Sequence, residues 1–218
     1  MTRIGSGLVG GLTGVGAVQF DPNTDQIDVL IASVQLNRAD LIENQLRDQI
    51  KTVQARNEAI GSLNDAKSAL GAQKAYIPAD QTGSLIDQKH YKDQMTPAQV
   101  EQFNRDWAAD PTKTLETARN GGYGKGYQEL ADAATKARDA GLDDQTVSKI
   151  ATGKITSAEI DATSSQITGK IDNLSSSQQI EMIRLQSLSQ RRAEAFDVAT
   201  NSLKKMSDNK SNVISNLR

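Results

Sequence analysis

The sequence predicts an all-α protein: a long antiparallel helical hairpin (coiled coil) of N- and C-terminal helices, with a small helical head domain inserted between them. Two long stretches with seven-residue hydrophobic spacing, one near each end of the chain, predict the paired helices. Between them lie short segments separated by helix caps, prolines and glycines. Aromatic residues make up only 4% of the 218 residues, which suits elongated helices better than a compact globule.

These patterns divide the chain into four segments. Residues 1–23 are glycine-rich and are expected to be flexible on their own. Residues 24–75 are assigned to the N-terminal coiled-coil helix and residues 76–155 to the inserted head of small helices. Residues 156–218 form the predicted C-terminal coiled-coil helix.

The N-terminal helix carries apolar residues through its first five heptads. The heptad assignment also places Asn57 and Asn64 at seam positions. Buried asparagines there would set the register of the pair, although an end of the helix that turns toward solvent explains them equally well. The seam residues expected on this helix are Leu36, Leu46, Ile50, Val53 and Ile60.

The head is predicted from its helix boundaries. Thr96 and Gln99 form a capping box around Pro97, and Asp110–Pro111 repeats the cap-and-proline start. Gly121–Gly126 reads as a plain loop, because it lacks the spacing of a phosphate-binding loop. The aromatic residues that could form a small core are Tyr76, Tyr91, Phe103, Trp107, Tyr123 and Tyr127.

The C-terminal helix is expected to open at a capping box formed by Thr156 and Glu159. Its apolar spacing predicts a register slip around Ser175–Ser177, after which the pattern resumes at Leu185. The seam residues expected on this helix are Ile167, Ile171, Leu174, Leu185 and Leu188.

The last part of this helix stays apolar and periodic, which predicts burial against another copy of the chain. The glycine-rich N-terminal segment is expected to help by allowing close backbone approach. The predicted self-association residues are Phe196, Ala199, Leu203, Met206, Val213, Ile214 and Leu217.

Composition argues against several functional classes. There is no cysteine and only one histidine, so no catalytic residue, cofactor site or metal site is predicted and the chain is not expected to be an enzyme. Twenty-five basic against 27 acidic residues give no concentrated basic surface for nucleic acid. No apolar run is long enough to span a membrane, and no cleaved Sec signal is recognised. His90–Lys92 is expected to be solvated surface.

The segments 174–201 and 34–57 resemble the C- and N-terminal helices of type III secretion needle-tip and filament proteins. The resemblance rests on Leu174 to Leu188, on Arg191–Asp197 and on Gln54–Asn57. It implies a structural virulence subunit, secreted to the bacterial cell surface, that self-assembles and links the secretion needle to the translocon pore. The implied partners are further copies, the needle subunit and translocon proteins.

Two questions stay open at this point. The resemblance leaves a pentameric tip complex and a long filament as alternatives, and a non-polymerising secreted coiled-coil adaptor or effector that binds a host partner would explain the helices as well. Because exposed seams would assemble prematurely, a dedicated cytoplasmic chaperone that masks the C-terminal helix is also expected.

Overall fold

The computed structural model describes residues 27–78 and 83–216, and for Asp28 and residues 209–216 it describes the backbone alone. The predicted glycine-rich segment 1–23 and Leu217 therefore lie outside the described residues, as do the side chains of Val213 and Ile214.

The described chain is helical, with one long helix near each end. Helix α1 spans Ile27–Lys74 and helix α7 spans Ser157–Asn216. The described ranges contain no β-strand. Ser84 and Thr156 form an isolated antiparallel β-bridge. The short elements between the long helices are a 3₁₀ turn, Leu85–Asp87, and helices α2, Lys89–Lys92, α3, Pro97–Ala109, α4, Pro111–Arg119, α5, Lys125–Asp139, and α6, Asp144–Ala151.

The chain divides into two compact units. The first, here called the core unit, is Ile50–Met182 and contains all of the short helices together with the adjoining parts of α1 and α7. The second, here called the two-helix unit, comprises the described parts of Met1–Gln49 and Ile183–Arg218.

In the core unit, α1 packs antiparallel against α7. Gln178 donates a hydrogen bond to Asn57, Lys67 donates to Thr168, and Lys74 donates to Asp161, at 2.6, 2.8 and 2.5 Å respectively. From one contact to the next, the residue number rises by ten and then by seven on α1 and falls by the same amounts on α7, which is the pattern of an antiparallel pair. In the two-helix unit the corresponding contact joins Arg192 Nη2 to Glu43 Oε2 at 3.2 Å. A long N-terminal helix thus packs against a long C-terminal helix, as the heptads predict.

Helix starts lie where the cap signals predict them. The Thr96 side chain accepts from the Gln99 backbone N–H, and the Gln99 side chain accepts from the Thr96 backbone N–H, which is a complete capping box before α3. Asp110 caps α4 by accepting from the Lys113 backbone N–H. Thr156 and Glu159 form the same reciprocal pair at the start of α7.

The aromatic residues of the short helices meet in one core that the long helices share. The Phe103 ring stacks on Tyr127 with centroids 3.8 Å apart, and Tyr123 meets Phe103 edge-on. Leu70 of α1 and Ile167 of α7 are fully buried in the same cluster. The expectation that His90–Lys92 is solvated surface is wrong for Tyr91, which is fully buried, because its ring packs edge-on against Tyr76 and His90.

The predicted register slip in α7 does not occur. Buried or half-buried positions recur every seven residues along the helix without interruption, at Ile160, Ile167, Leu174, Glu181, Leu188, Ala195 and Ser202. The apolar pattern breaks because Glu181 and Ser202 are polar residues in seam positions, whereas Phe196 and Leu203 are half-buried beside the seam. An unbroken seven-residue repeat is the spacing of a left-handed coiled coil.

On α1 the seam departs from the predicted positions. Ile50, expected in the seam, is 45% exposed, and Asn57 and Asn64 are exposed as well. Arg56 and Leu63, one residue earlier in each heptad, face the seam instead. The covered row itself keeps the seven-residue spacing, at Ile42, Gln49, Arg56, Leu63 and Leu70, so the predicted row Ile50, Asn57 and Asn64 lies one residue to its side.

Candidate self-association surface

Small side chains hold most of the buried positions in the seam of the two-helix unit, and Ile42, 6% exposed, is the larger exception. On α1, Ala32 and Ala39 are 2% and 0% exposed, and on α7, Ala195 and Ala199 are 2% and 1% exposed. Side chains of this size let two helix backbones approach closely. One charged contact, Arg192 to Glu43, lies among them, and the Arg192 guanidinium sits 5.4 Å from the centroid of the Phe196 ring.

The predicted self-association residues are partly used inside the chain. Ala199 is buried in the seam with α1, and Phe196, Leu203 and Met206 are half-buried. The side chains of Val213 and Ile214 and the whole of Leu217 lie outside the described residues. The described part of the predicted set therefore offers little free apolar surface.

The predicted intramolecular seam residues are mostly covered. Ile167 is fully buried, and Ile50 is exposed. The remaining members are half-buried: Leu36, Leu46, Val53, Ile60, Ile171, Leu174, Leu185 and Leu188.

A second apolar face lies on the amino-terminal part of α1, turned away from the alanine seam. Its exposed side chains, here called the α1 stripe, are Ile27, Leu30, Ile31, Val34 and Leu41, with exposures of 75, 49, 37, 53 and 62%. The stripe is interrupted between Val34 and Leu41 by the exposed Asn37 and Arg38, and beyond Leu41 the same face continues with polar residues, the exposed Asn44, Gln45 and Asp48. The heptad assignment followed only one face of α1 and missed it, although the seven-residue spacing of Ile27, Val34 and Leu41 signals a second face.

The outward side of α7 in the two-helix unit is polar by comparison. Val198 is 42% exposed and stands alone, whereas Ile183, 65% exposed, begins the unit next to the exposed Ile180 and Met182. The exposed residues along the same part of the helix are charged or polar, including Arg191, Glu194, Asp197, Lys204 and Lys205.

The core unit carries a shallow groove of about 350 Å³. Alanine and leucine side chains form its apolar part, and an acidic, a basic and an amide side chain form its polar part. The lining residues are Ala59, Leu63, Asp139, Ala140, Lys170, Asn173 and Leu174. Lys170 donates a hydrogen bond to the Gly141 carbonyl, so its ammonium group is already engaged.

His90 is part of a polar cluster between the end of α1, α2 and α5. Its ring stacks on Tyr76 with centroids 3.5 Å apart, and its Nε2 lies 2.8 Å from Glu129 Oε2 and 2.9 Å from Gln94 Nε2. In the described ranges no group of three or more histidine or acidic side chains is arranged to hold a metal ion. No helix in the same ranges combines the length and hydropathy needed to cross a bilayer.

The shifted pKa values belong to contacts that hold the core unit together. The hydrogen bond from Lys149 lowers the pKa of Glu159, and the hydrogen bond from the Tyr123 hydroxyl lowers the pKa of Asp106. Burial raises the pKa of Tyr127 to about 12. All three groups serve helix ends or helix packing, which is a structural use of ionisable groups.

No protein-family model, curated protein or solved structure matches this chain. Among the described residues, the α1 stripe and the groove of the core unit are both suited to binding another macromolecule. The stripe is the more informative of the two, because a cluster of exposed apolar side chains marks an interaction site.

Proposed function

We propose that the chain is a self-assembling structural subunit of an extracellular type III secretion needle-tip complex or filament. The observation that carries the proposal is that α1 is apolar on two faces, one packed on α7 and the other exposed as the α1 stripe. Because each apolar face of a helix is stabilised by packing against another element, two such faces on α1 favour two neighbours. The resemblance of residues 34–57 and 174–201 to tip and filament proteins supplies the biological setting.

The energetics favour assembly that depends on concentration. Fully burying a large aliphatic side chain contributes about 1.5–3 kcal/mol, so covering the exposed halves of five contributes about 5 kcal/mol per copy. Association costs about 4–15 kcal/mol in lost translational and rotational freedom. One such contact alone is therefore marginal, and many contacts along an assembly are needed to hold it together.

Self-assembly is tested by light scattering on the purified chain over a wide concentration range, with negative-stain microscopy of the largest species. We expect mass to rise with concentration toward rings or filaments. If the predicted C-terminal residues carry the assembly, deletion of residues 207–218 should leave a soluble monomer; if the α1 stripe carries it, the deleted chain should still assemble. A chain that stays monomeric throughout would contradict the proposal and favour the secreted adaptor or effector, a class for which the groove of the core unit offers a binding surface.

Export and chaperoning need separate tests. The chain, expressed in a bacterium with an active type III system, should reach the medium, and it should stay inside a strain in which that system is disabled. Co-expression with a cytoplasmic chaperone of the same system should give a defined soluble complex. Replacing Leu203 and Val213 together by aspartate should abolish both polymerisation and chaperone capture if one apolar face of the C-terminal helix serves both partners.

A further inference from the structure

We infer that residues 4–20 of the same chain bind the first two turns of the α1 stripe and compete there with further copies. The competition rests on the proposed self-assembly, whereas the contact itself does not. The glycine-rich segment then has the opposite effect from the one that its glycines predict, because it restrains self-assembly instead of helping it.

The first two turns of the α1 stripe form one uninterrupted apolar patch. Four exposed aliphatic side chains occupy helix positions i, i+3, i+4 and i+7, which lie on one side of a helix: Ile27, Leu30, Ile31 and Val34. The exposed Asn37 and Arg38 end the patch. It therefore extends about 10 Å along the helix axis, and it starts at the first residue of α1.

The patch is too small to hold a separate molecule by itself. Its exposed side chains offer about 200 Å² of apolar surface, whereas a standard stable interface buries about 800 Å² per partner. A segment of the same chain does not need that area, because a short tether gives it an effective concentration of about 1 mM. The size and the place of the patch both favour an occupant that is joined directly to α1.

Residues 4–20 lie outside the described residues, and their sequence suits such an occupant. They contain no charged residue, so covering the patch buries no unpaired charge. Six glycines lie among them, and the missing side chains let a backbone approach a helix closely. The large apolar residues are spread through the segment: Ile4, Leu8, Val9, Leu12, Val15, Val18 and Phe20.

The connection between the segment and α1 permits the chain to double back. Six residues connect Phe20 to Ile27, among them Pro22 and Asn23, which are residue types favoured in turns. An extended chain advances about 3.3 Å per residue, so about four residues pass along the whole patch. After a turn, residues 12–20 are therefore more than long enough to cover it.

The cover is expected to be displaceable. Holding glycine-rich residues in one conformation costs much conformational entropy, because glycine is the residue with the most freedom in an unfolded chain. Apolar contact with so small a patch offsets this cost only narrowly. A further copy that adds contacts elsewhere on the chain can therefore displace the segment, so assembly begins only above a threshold concentration.

Thiol labelling measures the cover directly, since the chain has no cysteine of its own. Leu30→Cys is compared in two full-length backgrounds: the otherwise unchanged chain, and a triple variant with Leu12→Ser, Val15→Ser and Val18→Ser. A water-soluble maleimide should label Leu30→Cys at least threefold faster in the triple variant. Val198→Cys, at a similarly exposed apolar position on α7, is the matched control and should react equally fast in both. Equal rates for Leu30→Cys in the two backgrounds would overturn the inference.

Dilution identifies the occupant. At concentrations where light scattering shows a monomer, Leu30→Cys in the otherwise unchanged chain should still react slowly, because the chain's own segment stays attached. If its rate rose on dilution to the rate in the triple variant, another copy would be the cover. The inference would then fail, while the proposed function would stand.

Light scattering tests the competition. The triple variant should assemble at a concentration at least threefold lower than the wild-type chain, because its patch is open to further copies. Thr13→Ser keeps the apolar residues of the segment and should leave that concentration unchanged. Unchanged circular dichroism establishes that each variant folds.

The two proposals fail in different ways. Assembly of the triple variant at the wild-type concentration or above it would overturn the competition and leave the proposed function in place. If no variant assembled at any concentration, the proposed function would fail together with the competition. Faster labelling of Leu30→Cys in the triple variant would even then establish the contact between the segment and α1.

Discussion

Arg56 Nη2 lies 3.6 Å from Glu181 Oε1 in the seam between α1 and α7, where the two side chains are 25% and 11% exposed. Beside them, Gln178 Nε2 donates to Asn57 Oδ1 at 2.6 Å. A shift of the pairing by one heptad would place Arg56 opposite Leu174 instead. Because an unpaired charge in a seam is costly, this polar layer selects one register at some cost in stability.

Replacing one partner of the Arg56–Glu181 pair should destabilise the chain more than replacing both partners. Glu181→Leu is expected to destabilise the chain by about 2 kcal/mol, since it leaves the Arg56 guanidinium largely buried without its carboxylate. Adding Arg56→Leu should bring the free energy of unfolding back to within about 1 kcal/mol of the wild type. Urea unfolding followed by circular dichroism measures both, with the exposed Glu58→Leu as control. If the double variant lost as much free energy of unfolding as the two single variants added together, an unpaired buried Arg56 would not be the cause of the destabilisation.

The alanine seam should not tolerate larger residues. Ala39→Leu is expected to destabilise the two-helix unit by about 1–3 kcal/mol, because a fully buried alanine between two helices leaves no room for three more carbons. Ala193→Leu, at an exposed position on α7, is the matched control and should be nearly neutral. Hydrogen exchange should show the lost protection in residues 27–49 and 183–208 of the Ala39 variant. Equal protection in both variants would count against close packing at this seam.

Two glycines share a backbone conformation, but only one of them is crowded by neighbouring side chains, so the cost of backbone strain can be measured apart from the cost of crowding. Gly153 and Gly141 have backbone φ angles of +67° and +68°, a conformation that residues with a side chain rarely adopt. A Cβ on Gly153 would lie 2.9 Å from Ile86 Cβ and 3.1 Å from Leu130 Cδ1, whereas a Cβ on Gly141 meets nothing within 4 Å. We therefore expect Gly141→Ala to cost about 1 kcal/mol and Gly153→Ala at least about 2 kcal/mol. Thermal unfolding with equal losses for both would contradict the crowding at Gly153.

Acid should remove the cap that begins α7. The Glu159 carboxylate lies 2.6 Å from Lys149 Nζ and accepts from the Thr156 backbone N–H, and these contacts lower its pKa in the folded state. A lowered folded pKa means that the stabilisation is present above the unfolded pKa and is lost as pH falls through the folded one. The gap in melting temperature between wild type and Glu159→Gln should be largest near neutral pH and should shrink below about pH 4. If the difference in melting temperature did not change with pH, the ionised Glu159 carboxylate would not be the source of the stabilisation.

The sequence by itself determined the helices and where they start. Capping boxes at Thr96 and Thr156 and the Asp110 cap are local signals, since each involves residues three apart that contact one another as soon as a helical turn forms. The heptads of α1 and α7 likewise predicted two long helices packed together.

Only the tertiary structure decided which residues face the seam and which remain exposed. Glu181 and Ser202 hold seam positions that their polarity concealed, and on α1 the row that contains Arg56 and Leu63 is covered in place of the row Ile50, Asn57 and Asn64. The buried place of Tyr91 and the exposed α1 stripe depend in the same way on what packs against each face. A side chain's neighbours come from residues far away in the chain, and periodicity within one helix does not specify them.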